Sequence, residues 1–282
     1  MTTLVVGARG HVGRSVLDLL LAAGEPVRAS SRNPGNAHLP ADVEVVTADV
    51  SNPDSLRAAL DGVNRVFLYA PSPGSTDLPA MVRVLQEAAL DRTVLLSSGS
   101  VLLDWTAGNA ITEHHRAVEQ AFAGADLAWV PIRPLVLATN DLNWAGAIRA
   151  GRPVGLVHPG ARTAPIHERD IAAVAVAALT GAVASELACG MLTGGELLSQ
   201  RHRVALIAEA LGRPIDVHEL TEGEARASFG HGNDPEEVEA ILAFIRDAAH
   251  DGSPATTMVE QVLGRTPLSY THWVSEHAID FT

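Results

Sequence analysis

The 282-residue chain contains one cysteine, Cys189, two tyrosines, Tyr69 and Tyr270, and only 4% aromatic residues. A lone cysteine excludes an internal disulfide framework and any cysteine-based zinc cage. No apolar run is long enough to span a bilayer. The most apolar stretch, residues 171–184, is interrupted by Thr180 and Gly181 and reads as a buried helix. Basic residues are the minority, 20 against 33 acidic ones, for a formal net charge of -13. That balance argues against non-specific nucleic-acid binding and against anionic membrane surfaces as partners. Neither a charged segment followed by an apolar one at the start, nor a repeat, nor a low-complexity tract is found, so a cytoplasmic location is expected. With 47% hydrophobic residues, the chain can bury a sizeable core.

The apolar run Leu4, Val5, Val6 leads directly into Gly7, Gly10 and Gly13, and then into the amphipathic series Val12, Val16, Leu19, Leu20. This reads as a first buried strand turning into a helix. The amides at the start of a helix lack internal partners, and the peptide dipoles add positive potential there. Glycines let the main chain approach a dinucleotide pyrophosphate closely. The spacing is G-x-x-G-x-x-G rather than G-x-G-x-x-G, so the mechanism matches where the letters differ. Candidate contacts in this loop are Gly7, Arg9, Gly10, His11, Val12 and Gly13.

A second strand over residues 27–30 ends in Ser30, Ser31, Arg32, about twenty residues beyond the glycines, where the adenosine ribose is met. An NAD site places a carboxylate there. Here Ser31 and Arg32 stand instead, and an arginine fork suits a 2′-phosphate. Arg9 approaches the same phosphate from the glycine loop, while Arg14 and Arg28 lie nearby. NADP(H) is therefore the expected cofactor.

Strand and helix signals then alternate, the pattern of a doubly wound parallel α/β sheet covered on both faces. Further strands are expected at 43–47, 65–69, 93–97 and 127–132. Helices are expected after Asn52 and Pro53, over about 78–90 and over about 111–122. Ligands sit at the carboxyl ends of such strands. This adds Asp49 and Val50 near the adenine, Tyr69, Ala70 and Pro71 after the fourth strand, and Ser97 after the fifth. From residue 134 the rhythm changes: a helical 141–150, a turn-rich 151–160, a short strand at 163–166, a helix over 168–180 and a last strand at 190–193. Helices follow, one capped by Ser199, one opened by Asp234 and Pro235, and one or two over 253–281.

Several segments together resemble the atypical short-chain dehydrogenase/reductases, most closely an NmrA-like subgroup that includes quinone oxidoreductase type 2 and NADPH-dependent reductases. They are GARGHVG at 7–13, DVSNPDSL at 49–56, LLSSGS at 95–100, EHHRAVEQAF at 113–122, IRP at 132–134, PIHERDIA at 165–172 and the tail at 262–281. The resemblance implies a Rossmann core, NADP(H) binding and a small, mainly helical C-terminal substrate region. The corresponding division is 1–133 plus 163–195 for the core and 134–162 plus 196–282 for the substrate-facing part.

Members of that family carry Tyr-x-x-x-Lys on the helix after the fifth strand, with a glutamate four residues past the lysine. With Glu119 as that glutamate, the lysine position is His115 and the tyrosine position is Ile111. The usual proton donor is therefore missing. His115 could hold the nicotinamide ribose or shuttle a proton. His114 lies about 100° round the helix, and Ser97 and Ser98 could orient a carbonyl. His115 and Glu119 share a face but find no third ligand, so no metal site is expected. Ser98, Gly99 and Ser100 lack the G-x-S-x-G elbow of a hydrolase. The reading is an NADPH-dependent reductase of a quinone or ketone, such as an aromatic or polyketide-like one, acting as a monomer or homodimer. The alternative is a non-catalytic NADP(H)-binding redox sensor of the NmrA type.

Overall fold

A computed structural model describes residues 1–36, 38–232 and 234–282. Among them the strands are β1 Thr3–Val5, β2 Val27–Ser31, β3 Glu44–Thr47, β4 Arg65–Tyr69, β5 Arg92–Leu96, β6 Trp129–Pro134, β7 Val154–Val157, β8 Arg162–Thr163, β9 Met191–Leu192, β10 Leu198–Ser199 and β11 Val217–Leu220. The α-helices are α1 His11–Ala22, α2 Pro53–Ala59, α3 Leu78–Glu87, α4 Ala110–Ala123, α5 Ala145–Arg149, α6 Glu168–Thr180, α7 Ser185–Ala188, α8 Gln200–Ala210, α9 Glu222–Phe229, α10 Pro235–His250, α11 Met258–Leu263 and α12 Tyr270–His277.

Seven strands form one parallel sheet in the order β3-β2-β1-β4-β5-β6-β9. The chain builds outward from β1 to β3, then returns to lay β4 against the other side of β1. That reversal opens a crevice at the carboxyl ends of β1 and β4. Successive side chains point to opposite faces of a strand, and the core divides accordingly. Val5, Phe67, Val94 and Ile132 pack with α1 and α6, through Val16, Leu20, Ile171 and Val174. Leu4, Val6, Leu68 and Leu95 pack on the other face with α2, α3 and α4, through Leu56, Met81, Leu85 and Phe122. This is the expected Rossmann-like α/β fold.

Local signals behave as the sequence predicts. Asn52, Ser199 and Asp234 cap α2, α8 and α10 through their side chains. α6 ends at Gly181 in the left-handed region, φ 75°. Three expectations are corrected. α3 stops at Glu87 rather than near residue 90, because the chain turns at Ala89 with φ 48°. The segment read as turn-rich at 151–160 contains β7, which pairs in parallel with β11, a strand the sequence reading misses. The short strand expected at 163–166 is instead β8, antiparallel to β10, while Ile166 bridges to Leu137 beyond β6.

The C-terminal elements have their own apolar cluster, with Ile148, Leu156, Ile207, Trp273 and Phe281 at its centre. Inside it lies a charged group. Arg203 Nη1 donates to both Asp141 carboxylate oxygens at 2.7 and 2.8 Å, and the Tyr270 hydroxyl donates to Oδ2 at 2.6 Å. Burial pushes both the Asp141 carboxyl and the Tyr270 phenol up in pKa, the latter well above its ordinary value. The phenolic proton is held in place, so one of only two tyrosines serves the lobe's interior. Arg203→Met leaves a buried carboxylate uncompensated and should lower unfolding free energy by about 3–5 kcal/mol. Tyr270→Phe should lower it by about 1–3 kcal/mol. Urea unfolding checks both, and losses below about 0.5 kcal/mol in each would remove this group from the stability of the fold.

Candidate active site

The amino end of α1 differs from those of the other long helices. α2, α3, α4, α6, α8, α9, α10 and α12 each receive a hydrogen-bonding side chain from the residue that caps them. α1 is capped by Gly10, which has none to offer, and its first turn carries no acid. The loop before it is folded tightly. Gly10 N–H donates to Gly7 O at 2.9 Å, and Gly7 has φ 77°. A Cβ on Gly13 would lie 2.3 Å from Gly7 O, and one on Gly7 would lie 2.8 Å from the Tyr69 ring. The backbone is thus drawn down against β4, leaving an open, dipole-positive helix end at the crevice. A pyrophosphate fits such an end.

At the carboxyl end of β2, Ser31 Oγ accepts from Asn33 N–H at 3.1 Å. Arg9 and Arg32 are exposed and, among the described residues, have no ion-pair partner. Arg28 and Arg14 are occupied elsewhere. Arg28 bonds Glu44 and the carbonyls of Ala59 and Asp61, and Arg14 pairs with Asp18 one turn along α1. Asp49 Oδ1 accepts from the amide and hydroxyl of Ser51, and Val50 beside it is buried. Tyr69 lies among these groups rather than on the far side of the crevice. Burial and the Asp49 charge raise its pKa, and Arg32 opposes them.

The other half of the crevice is made by the ends of β4 and β5 and by α4. Ala70 N–H donates to Leu96 O at 3.2 Å, and His114 Nε2 lies 2.7 Å from the Pro71 carbonyl, tying α4 to the β4 loop. Ser97 donates its hydroxyl proton to Glu119 Oε1 at 2.6 Å. Glu119 in turn accepts from Arg133 Nε at 2.9 Å and Nη2 at 2.5 Å, and Arg133 also donates to Cys189 O at 2.7 Å. Ser97, Glu119 and Arg133 therefore brace β5, α4 and β6 together. Ser98 caps the turn at Gly99–Leu102 and lies 2.9 Å from Ser100 Oγ. The proton that the sequence reading gives Ser97 for a carbonyl already has an acceptor. Three of the four expected catalytic side chains, Ser97, Ser98 and His114, thus have structural bonds.

His115 is different. Its Nδ1 is buried with no hydrogen-bond partner. Burial, with His114 beside it, lowers its pKa to about 4 against the opposing pull of Glu119. The ring is neutral at physiological pH and cannot replace a lysine's charge. No lysine elsewhere can do so, since all 20 basic residues are arginine.

From the sequence, Asp170 of PIHERDIA reads as serving the helix dipole or a local network rather than chemistry, and the structure shows the partners. Asp170, fully buried, accepts from Leu268 N–H at 2.6 Å and pairs with Arg265 at 2.6 Å. Glu168 lies 2.7 Å from His277 Nε2, and Asp280 lies 2.7 Å from its Nδ1. These carboxylates raise the His277 pKa against burial. The same ring stacks on Trp273 at 4.6 Å and meets the His11 ring edge-on at 6.0 Å. The segment thus clasps the C-terminal helix against the glycine loop. Its partners are too distant in sequence for spacing to reveal them.

Residues 7–182 match the NAD(P)H-binding family. The chain belongs to the NAD(P)H-binding family. Its branch is that of the NmrA-like, atypical short-chain dehydrogenase/reductases, and it is an NAD(P)H-dependent oxidoreductase. Among curated relatives, a (4-alkanoyl-5-oxo-2,5-dihydrofuran-3-yl)methyl phosphate reductase of Streptomyces griseus subsp. griseus is 34% identical over 99% of this chain and 98% of its own length. An NAD(P)H azoreductase of Xenophilus azovorans is 28% identical over 99% and 98%. Among solved structures, an NADPH-dependent quinone oxidoreductase from Escherichia coli in complex with NADPH shares the fold at TM-score 0.78. It is 19% identical, with 98% of this chain and 99% of that one covered.

Gly13→Ala should abolish measurable NADPH binding, because the new methyl group would meet backbone at 2.3 Å rather than a side chain able to move. Calorimetry with the folded variant checks this. Binding within about twofold of the parent, well under the tenfold that 1.4 kcal/mol represents, would mean that the loop is not the pyrophosphate site.

Proposed function

We propose that this protein is an NADPH-dependent reductase that delivers hydride to an acceptor needing little acid assistance, a quinone. The observation that carries this reading is the first turn and a half of α4. Ile111 and a neutral, buried His115 occupy the positions of the tyrosine and lysine, and the chain has no lysine to recruit. In this reading the bound coenzyme supplies the hydride. The open amides of residues 11–13 hold its pyrophosphate, and Arg9 and Arg32 grip the 2′-phosphate. Asp49 and Tyr69 border the adenosine. The Ser97, Glu119 and Arg133 brace keeps the end of β5 and α4 fixed around the reacting face. His115 Nδ1 can accept or donate one hydrogen bond but carries no proton to give as an acid near pH 7. Proton delivery then falls to water, which suffices when the reduced acceptor is a delocalised oxyanion.

A cavity of about 660 Å³ opens beside the amino end of α4, between residues 105–110 and α10. Trp105 stacks on Phe244 at 5.5 Å in its wall, with Ala110, Ala240 and Ala243 around them. Its charged lining is acidic, Glu236, Glu239 and Asp247, with no arginine. That lining supports a flat, uncharged aromatic substrate over a phosphate-bearing one. Because α10 forms one wall, it also supports assigning 196–282 to the substrate side of the molecule.

Two measurements test this reading. Arg32→Ala should weaken NADPH binding by about ten- to a hundredfold while leaving NADH unchanged, the scale of one or two charge-assisted hydrogen bonds. Equal loss for both coenzymes would move the arginine away from the 2′-phosphate. NADPH oxidation across quinones should show turnover, with kcat flat between about pH 6 and 9. His115→Ala should lose less than about tenfold, because general acids contribute about a hundredfold or more. An ionisation in that range abolished by the substitution would make His115 the acid. No oxidation with any quinone would overturn the reading.

A further inference from the structure

Outside the cofactor crevice, one trio among the described residues brings metal-ligating atoms together: His167, His272 and Glu276, whose donor atoms all lie within 4.8 Å of one another. His167 is the residue that caps α6, and it is only 1% exposed. His272 and Glu276 stand four residues apart on one face of α12, a spacing that presents two ligands side by side. Glu276 Oε2 lies 3.2 Å from His167 Nε2, and Glu276 Oε1 lies 3.1 Å from His272 Nε2. Ligands about 2.0–2.1 Å from a tetrahedral zinc ion are about 3.3 Å from each other. Each observed separation is therefore close to an edge of such a site, and because the two run to different oxygens of one carboxylate, a small turn of Glu276 brings a single oxygen between the imidazoles.

The second observation concerns two buried atoms. His167 Nε2 has no hydrogen-bond partner, and neither does Glu168 Oε2. The two atoms lie on opposite sides of the same imidazole, since Glu168 Oε2 is 3.2 Å from His167 Nδ1. In the arrangement seen, Nδ1 accepts the Arg169 N–H at 3.2 Å. A cation on Nε2 would place the ring proton on Nδ1, facing the Glu168 carboxylate, in exchange for the bond that Nδ1 now accepts from the Arg169 N–H. Both orphaned atoms would then be satisfied, in the carboxylate–histidine–metal relay that commonly supports a ligating histidine. Arg169 Nη1, 2.5 Å from Glu276 Oε1, is the cation now at this place. Its side chain is half exposed and can turn outward when an ion arrives.

We propose that His167, His272 and Glu276 bind one divalent transition-metal ion of the zinc type, with solvent as the fourth ligand, fastening α12 to the amino end of α6. Two imidazoles and one carboxylate favour zinc or its neighbours over magnesium or calcium, which prefer all-oxygen sites. Because α12 also carries His277, which meets His11 of the glycine loop, the ion would stiffen the same clasp that closes on the coenzyme loop.

The test uses the full chain stripped with a chelator and titrated with cobalt and then zinc. One cobalt per chain with a tetrahedral visible spectrum, displaced by zinc and accompanied by a rise in Tm, is the expected result. His272→Ala and Glu276→Gln, both at exposed positions, should each weaken zinc binding by at least about tenfold without changing circular dichroism. His250→Ala, an exposed histidine on α10, should leave it unchanged. Absence of a one-to-one tetrahedral cobalt spectrum, or binding that survives both α12 substitutions, would overturn the proposal.

Discussion

The close contact between Gly13 and the Gly7 carbonyl is the constraint from which the cofactor crevice follows. Only without a side chain at Gly13 can α1 begin so near the end of β1, and with Gly10 as its cap and no acid in its first turn that amino end stays open. The sheet order supplies the rest. Because β4 returns beside β1, the Tyr69 ring forms the floor under Gly7, and the ends of β2 and β3 bring Arg32 and Asp49 within electrostatic reach of it. The positive end of the helix, an arginine with no ion-pair partner among the described residues and a half-buried phenol converge through topology, although each belongs to a different strand end.

The clasp made by residues 165–172 addresses a second demand of the same geometry. A loop of glycines binds a dinucleotide well only if its conformation is already set, since ordering it on binding would consume affinity. Here the far end of the chain helps to set it. Asp170 and Glu168 hold the segment around α12, and His277 reaches from that helix to the His11 ring. The His277 charge is favoured by two carboxylates, so this part of the clasp is strongest below the histidine's ordinary pKa and weakens as pH rises through its raised value.

What could be read from the sequence was local. The apolar runs of the first six strands, the Asn52, Ser199 and Asp234 caps and the glycine turn each depend on neighbours within a few residues, and all lie within about two residues of where the pattern places them. The second strand's missing acid could likewise be read, and Arg28 and Arg14 are separated from Arg32 only by partners such as Glu44 and Asp18 seen in three dimensions. The interactions that escaped reading join distant segments. β7 and β11 are short and flanked by turn residues, so neither announces itself without the other. Asp141, Arg203 and Tyr270 come from three elements, and no spacing links them. Ser97 reads as a substrate contact because its strand-end position suits one, whereas Glu119, buried on the next helix, accepts its proton.

That last pairing separates scaffold from chemistry on α4. Glu119 sits two turns in from the start of the helix and binds Ser97 and Arg133, so it fixes the helix against the sheet. Four residues earlier, His115 faces the other way electrostatically: burial removes its proton, and nothing nearby restores it. A charged group at position 115 would pay for its burial, and a tyrosine at position 111 would need a cation to lower its pKa, as lysine supplies in the usual pair. With isoleucine at one place and a neutral ring at the other, both demands vanish together. In the proposed reading the helix keeps its bracing role while the reacting face becomes less polar, which suits an acceptor whose own conjugation stabilises the charge that hydride brings.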